Sequence, residues 1–205
     1  MKDFIVAAIE GRASTNQFDP AREISPQQIE ELIRLATLAP SAFNLQNWRF
    51  IAVRTAEAKA RLRKLADNQA KVSDAAVTFI VCGRLPTHRV MPERLRPSVE
   101  AGFMPPEVAA GWESGVESLY GGQPRMQRDE AIRSATFGAA TLIFAAQAHG
   151  LASGAMVGFD PGGVAREFGL DADEVPVMLL AVGYAAPGNW PQKPRRPVSQ
   201  VLDLV

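Results

Sequence analysis

The sequence predicts an α+β protein in which helices flank a central sheet, with residues 1–205 forming one domain. Two uninterrupted apolar runs rich in β-branched residues, Ala75–Cys82 and Val175–Tyr184, are typical of strands that are buried on both faces. Segments with apolar residues at helical spacing lie between them. The proline-rich end, residues 185–205, has neither pattern, so we expect it to run extended over a surface.

The N-terminal half is expected to alternate helices and strands. A short helix over residues 3–10 comes first. The next helix has clear start and stop signals, because Ser25 and Gln28 have the spacing of a capping box, Pro26 suits the first helical position and Pro40 ends the helix. The following elements are a strand over Trp48–Arg54, a helix over Ala56–Ala66 and the buried strand over Ala75–Cys82.

The C-terminal half begins with a proline-rich stretch, residues 85–106, which we expect to be loop with a short helical excursion. The longest predicted helix, Asp129–His149, is apolar nearly all round and should therefore be central. The apolar end VSQVLDLV would suit an edge strand. The remaining predicted elements are a weak helix over Glu107–Tyr120, a strand over Leu151–Phe159, a short helix from Asp160-Pro161 to Gly169, and the buried strand over Val175–Tyr184.

Composition excludes several classes of protein. The 22 basic and 22 acidic residues give no net charge, so there is no electrostatic signal for nucleic acid or an anionic membrane. No apolar stretch reaches the roughly 18 residues of a membrane span, and the apolar start is too short for a signal peptide. We therefore expect a cytoplasmic protein. The single cysteine, Cys82, lies among apolar residues and is interpreted as a buried, inert thiol.

Few residues are suited to direct catalysis. Of the two histidines, His149 lies at a helix end, where a structural role is the simpler explanation, and His88 lies in a basic loop with no evident partner. The chain has no metal-ligand spacing, nucleophile elbow or GxxxxGK phosphate loop. If the protein is an enzyme, we expect a cofactor to supply the chemistry, with no catalytic protein residue and no metal.

Three polar segments are candidates for holding a cofactor. They are Gly11–Asn16, with one guanidinium and two hydroxyls, the amide-rich loop Pro40–Trp48, and the basic run Lys193–Pro197. Arginine and lysine side chains suit a phosphate monoester. Taken singly, each segment is equally well explained by turn chemistry or by a solvated tail.

In their order along the chain, these segments resemble the nitroreductase family. The motifs are Arg12-x-Ser14, Ala39-Pro40-Ser41-x-x-Asn44-x-Gln46-x-Trp48, Asn68-x-x-Lys71, the run Gly138–Asp160 and Lys193-x-Arg195. The resemblance covers most of residues 10–82 and 130–200. It does not extend to residues 84–128, which would form a variable lid or insertion.

The resemblance implies an intertwined homodimer with a mixed, mostly antiparallel sheet, FMN between the subunits, and residues 185–205 crossing to the partner. Arg12, Ser14, Lys193 and Arg195 would hold the FMN phosphate, and Ala13 is a further implied cofactor-binding position. Asn16 would bond to a ribityl or ring oxygen, and Asn68 and Lys71, on one helix face, would contact the pyrimidine edge of the flavin. The backbone of Met156, Val157 and Gly158 would lie beside its reactive face. The partner subunit would contribute Pro40, Ser41, Ala42 and Asn44, and Phe43 would lie in the substrate pocket or the core. Asn16, Asn47 and Val157 replace a basic residue, a proline and a glutamate found in relatives.

The implied activity is a ping-pong transfer of electrons from NAD(P)H through FMN to a nitroaromatic or quinone acceptor. A second reading of the same motifs is a different flavin enzyme of this fold, such as a dehalogenase, a ring-oxidising dehydrogenase or a flavin-degrading enzyme. A third is a flavin-binding protein without turnover. Without the resemblance, the chain would be interpreted as a structural α+β dimer with a swapped tail.

Overall fold

The computed structural model describes residues 2–205, which form eight α-helices and four β-strands. The helices are α1 (Lys2–Gly11), α2 (Pro26–Ala36), α3 (Ala56–Lys64), α4 (Lys71–Asp74), α5 (Met91–Glu100), α6 (Pro106–Tyr120), α7 (Pro124–Ala148) and α8 (Pro161–Glu167). The strands are β1 (Trp48–Val53), β2 (Val77–Arg84), β3 (Ala152–Met156) and β4 (Glu174–Gly183).

The four strands form one sheet in the order β1-β2-β4-β3, and all three neighbouring pairs are antiparallel. The single parallel pairing among the described residues is an isolated bridge between Ser14 and Ser153, beside β3. The predicted α+β fold with a mostly antiparallel sheet is therefore confirmed. The two apolar runs predicted as buried strands are β2 and β4, the central pair, which is why both of their faces are apolar.

Helices cover both faces of the sheet. Alternate residues of β2 point to opposite sides, so Phe79 packs against α2 and α7 while Ile80 packs with Leu62 of α3 and Val164 of α8. The capping box of α2 is present: Ser25 Oγ accepts from Gln28 N at 3.1 Å, and Gln28 Oε1 accepts from Ser25 N at 2.8 Å. The sheet is thus the middle layer of three.

Helix α7 is the central helix that the sequence predicts, although it begins five residues earlier, at Pro124. Its buried face consists mainly of small residues, which allows close packing against α2 and the sheet. At its C-terminal end the backbone amide of His149 bonds to the carbonyl of Ala145, so this histidine occupies a helix cap. Phe137 and Phe144 of the same helix remain exposed.

The stretch predicted as loop with a short helical excursion, residues 85–106, contains the ten-residue helix α5, so its helical part is present and longer than expected. Pro92 lies in the first turn of α5, where its missing amide hydrogen costs nothing. Met91 and Leu95, one turn apart, are buried against Val116 and Tyr120 of α6. Helices α5 and α6 therefore have a small apolar core of their own, separate from those of the sheet.

The C-terminal residues take no part in the sheet of their own chain. Instead of an edge strand, residues 198–200 form one 3₁₀ turn. Beyond Ala186, every backbone–backbone hydrogen bond that residues 187–205 make within the described chain joins residues of the tail itself. Its apolar side chains are exposed, with Leu204 at 89% and Val198 at 67%.

No helix among residues 2–205 is long and apolar enough to cross a bilayer.

Candidate functional site

The segment that follows α1 runs along the sheet and is fixed at both ends. Thr15 N donates to Ser153 O at 2.8 Å, and Phe18 forms an antiparallel bridge with Ala185 just after β4. The contact with β3 is close: a Cβ added to Gly154 would lie 2.2 Å from Thr15 O. Arg12 and Ser14 are therefore carried on a backbone that β3 holds directly.

Arg12 and Ser14 line a surface recess together with the C-terminal tail. Trp190, Pro191, Gln192, Lys193 and Arg195 complete its walls. Arg195 Nη1 donates to Lys193 O at 2.7 Å, and Lys193 Nζ lies 5.4 Å from the centre of the Trp190 ring. Two segments about 180 positions apart in sequence thus meet at one place, as the motif order predicts. Ala13, by contrast, lines a neighbouring cavity together with Gln147 and is not among the residues that line the recess.

The recess is positively charged and lacks a counterion. Arg12, Lys193 and Arg195 line it with no carboxylate among the lining residues, and none of the three takes part in an ion pair within the described chain. Burial lowers the pKa of nearby Lys71, and the positive charge of Lys193 lowers it further. An anion in the recess would relieve this repulsion between like charges.

Asn16 and Lys71 are in contact beside this segment. Lys71 Nζ donates to Asn16 Oδ1 at 3.2 Å. The ammonium group of Lys71 therefore supplies a positive charge beside Asn16, which has no charge of its own. Lys71 is the first residue of the one-turn helix α4.

Asn68 does not share a helix with Lys71, so the predicted common helical face is wrong. Asn68 lies in a turn with φ of +53°, and Asp67 before it has φ of +50°. This left-handed conformation is one that asparagine and aspartate adopt more readily than most residues. The carbonyl of Asn68 accepts from Arg63 Nε at 3.0 Å, which holds the turn against α3.

The same turn lies against the end of β3. Gln69 Nε2 donates to Gly158 O at 2.9 Å, so residues 67–69 and Met156, Val157 and Gly158 are neighbours. Met156 is buried, whereas Val157 is 77% exposed. The segment therefore presents backbone and one apolar side chain to the surface.

The loop containing Pro40, Ser41, Ala42, Phe43 and Asn44 is not among the residues that line the recess. Ser41 Oγ accepts from Gln46 N at 2.9 Å, and Phe43, Asn44 and Gln46 all have φ near +50°. An aromatic residue in this region is a true outlier and marks backbone strain.

Phe43 is held by α6. Its ring meets Trp112 edge to face at 6.0 Å between centroids, and a Cβ on Gly115 would lie 3.2 Å from Phe43 Cε1. The loop is thus positioned by residues 84–128, the region that the sequence predicts as a lid.

Two polar residues of this region were not found by motif reasoning. They are Gln69, which ties the 67–69 turn to Gly158, and Asn189, whose side chain bonds to Asn16 and Gln17. The Pro-Gly-Asn run before Trp190 is a turn signal, but it does not indicate what the asparagine contacts.

Other reactive groups have structural surroundings. Burial, followed by the charge of Glu174, raises the pKa of Cys82 to about 12, which confirms an inert thiol. His88, predicted without a partner, contacts Glu117 of α6 through Nδ1. Within residues 2–205, no cluster of three or more histidine, cysteine or acidic residues is placed to bind a metal.

Comparison with known proteins adds an independent line of support. The family model described as "Nitroreductase family" matches residues 9–184. The Bacillus subtilis protein YdgI, provisionally named as an NAD(P)H nitroreductase, is 33% identical over 181 residues, covering 87% of each chain. A CLA biosynthesis enone reductase from Lactiplantibacillus plantarum is 31% identical, covering 85% of this chain and 82% of its own.

Solved structures agree. An Exiguobacterium sibiricum protein crystallised in complex with FMN is 30% identical, with a TM-score of 0.89 over 98% of this chain and 96% of its own. With a family match over most of its length and relatives above 30% identity, the chain belongs to the nitroreductase family.

Proposed function

We propose that this protein is an FMN-dependent oxidoreductase that transfers electrons from NAD(P)H to a nitroaromatic or quinone acceptor by a ping-pong mechanism. One observation carries the proposal: three basic side chains without a counterion gather around one recess of a protein with no net charge. Maintaining like charges together costs free energy unless a bound anion compensates it.

The chemistry of the recess fits a phosphate monoester. Arg12 and Arg195 offer guanidinium donors, Lys193 an ammonium and Ser14 a hydroxyl, and phosphate oxygens accept from all of these groups. The phosphate end of FMN would lie here. The FMN complex of the Exiguobacterium relative supports this choice of cofactor.

The rest of the cofactor would extend past Asn16 and Lys71 towards the turn at Asn68 and the end of β3. FMN, when bound, supplies the redox chemistry. Lys71, held near Asn16, would stabilise negative charge at the pyrimidine edge of the ring system. The backbone of Met156 to Gly158 would position the ring, and no acid or base from the protein is needed for this.

The second wall of the site would come from a partner subunit. Pro40, Ser41, Ala42 and Asn44 lie outside the recess of their own chain, as expected if they complete the site of the other copy. Exposed apolar side chains at Ile5, Ile9 and Phe144 around one groove, and at the tail end, support a homodimer in which residues 185–205 cross over.

The acceptor would bind beside Phe43, on the surface that Phe43 forms together with the lid of residues 84–128. The edge-to-face pair of Phe43 and Trp112 makes that side aromatic, which favours flat, conjugated acceptors. The enone reductase among the relatives makes an α,β-unsaturated carbonyl compound the second candidate class of acceptor.

The visible spectrum of the purified protein, followed by anaerobic titration with NADH and NADPH, tests the proposal. We expect flavin absorbance that bleaches with one or both reductants and recovers when nitroaromatics, quinones or enones are added. A yellow protein that no acceptor reoxidises would indicate a flavin-binding protein without turnover. A colourless protein that takes up no FMN would refute the cofactor assignment.

A further inference from the structure

The C-terminal tail carries two of the three cations of the recess, yet beyond Ala186 only the side chain of Asn189 hydrogen-bonds to the rest of the described chain. Ala186 N donates to Gln17 O at 3.0 Å. Beyond Ala186, no backbone group of residues 187–205 forms a backbone–backbone hydrogen bond with the rest of the chain that the structure describes. Ion pairs do not hold the tail either, since those of the described residues involve none of its charged side chains.

Asn189 provides the remaining attachment, and its amide is fully used. Its Oδ1 accepts from Asn16 N at 2.8 Å and from Gln17 N at 2.9 Å. Its Nδ2 donates to Gln17 O at 2.8 Å and to Ala186 O at 2.9 Å. Two amide hydrogens on one side and two carbonyls on the other fix the orientation of the side chain, because the flipped amide would satisfy neither pair.

The conformation of the tail brings Asn189 into this position. Gly188 has φ of +94°, which L side chains adopt only with strain, and a Cβ there would lie 3.1 Å from Gln17 Oε1. The turn therefore lies close against the segment that carries Arg12 and Ser14. Lys193 follows Asn189 by four residues, a short enough connection for the attachment to restrict where its ammonium group can go.

We propose that Asn189 is a positioning residue for phosphate recognition: it fastens the tail to the Asn16–Gln17 backbone so that Lys193 and Arg195 are held opposite Arg12 before the ligand arrives. Asn189 does not line the recess, so it acts through those cations and not by contact. Preorganisation of this kind lowers the entropy lost on binding. The inference rests on the proposed function, because the phosphate concerned is that of FMN.

Binding of FMN and of riboflavin, which lacks the phosphate, tests the inference in purified apoprotein by flavin fluorescence. In Asn189→Ala we expect the Kd for FMN to rise about tenfold, because the hydrogen bonds that hold the tail in place are lost. The Kd for riboflavin should change by less than about twofold. A general loss of stability would weaken both ligands alike. Gln27→Ala, which removes an exposed amide with no hydrogen bond on α2, is the matched control and should change neither Kd.

A double-mutant cycle shows whether Asn189 acts through the tail cations. In the Lys193→Ala/Arg195→Ala background, adding Asn189→Ala should change the Kd for FMN by less than about twofold, because the groups that it positions are gone. If Asn189→Ala does not fold, Gly188→Ala strains the same attachment and should reduce the preference for FMN in the same direction by a smaller factor.

The results separate the two proposals. A wild-type protein that prefers FMN over riboflavin, with an unchanged preference in Asn189→Ala, would overturn the positioning role and leave the proposed function intact. Full additivity in the cycle would have the same consequence. Failure of the wild-type protein to bind FMN would refute both proposals.

Discussion

Two groups of basic side chains in this protein differ in what neutralises them. At the end of β2, Arg84 Nε lies 2.9 Å from Glu174 Oε1, and Arg49 Nη1 lies 2.6 Å from Glu174 Oε2. The Glu174 side chain is 0% exposed, and the backbone of Asp171 donates a third hydrogen bond to it. Arg12, Lys193 and Arg195, in contrast, gather around a recess without any acidic residue in its lining.

The difference separates a structural role from a binding role. Burial alone would raise the pKa of Glu174, but hydrogen bonds from Asp171, Arg84 and Arg49 outweigh it and hold this pKa below its ordinary value. The carboxylate and its arginines thus satisfy one another and need no ligand. At the recess, burial lowers the pKa of Lys71, and the charge of Lys193 lowers it further. In a protein of zero net charge, such an imbalance indicates where an anion belongs.

The largest effect is expected from Glu174→Ala. Removing the buried carboxylate breaks its hydrogen bonds with Arg49, Arg84 and the Asp171 amide, which should lower the free energy of unfolding by about 3 kcal/mol, because the two arginines left behind are partly exposed to water. Urea denaturation of the apoprotein measures this. Glu31→Ala, which breaks an exposed pair with Arg34, is the control and should leave the free energy of unfolding nearly unchanged. A loss for Glu174→Ala as small as that of the control would show that the buried group is not a structural element.

An intermediate effect is expected at the recess, and on binding instead of stability. Arg12→Ala should raise the Kd for FMN about ten- to a hundredfold, the range for losing a hydrogen bond to a charged group, with little change for riboflavin. The melting temperature of the apoprotein should not fall, because no internal partner is lost. Arg34→Ala, on the exposed face of α2, serves as the control. A drop in melting temperature comparable with that of Glu174→Ala would abolish the contrast between the two groups.

The smallest effect is a difference in acid sensitivity. Because the pKa of Glu174 is lower in the folded state than its ordinary value of 4.5, the unfolded chain takes up this proton first. Its stabilisation is complete above pH 4.5 and is lost as the pH falls through the folded-state pKa, with a slope of at most about 1.4 kcal/mol per pH unit. In Glu174→Gln this part of the slope should disappear from denaturation curves measured as the pH falls below the ordinary value of 4.5. The idea fails if wild type and variant lose stability in parallel.

Patterns that act over a few residues predicted their elements well. The capping box fixed the start of α2, and β2 and β4 followed from apolar runs of strand length. The order of short motifs along the chain also indicated the family and brought Arg12, Ser14, Lys193 and Arg195 forward as candidates, which the structure places around one recess. Each motif or pattern taken by itself is local, because it depends on side chains a few residues apart, whereas the family was indicated by the order of the motifs along the whole chain.

The remainder depended on contacts between distant residues, which no local rule specifies. The turn at Asn68 is set by its packing on α3 and Gly158, and α5 is a helix because Met91 and Leu95 find an apolar partner in α6. Glu174 meets Arg49 across 125 positions of sequence, and Asn189 meets Asn16 across 173. Strand register and the path of the tail bring these groups together. Local sequence patterns therefore identified candidate site residues, whereas tertiary packing decided which basic side chains are paired with a buried carboxylate and which line a recess that has no acidic residue in its lining.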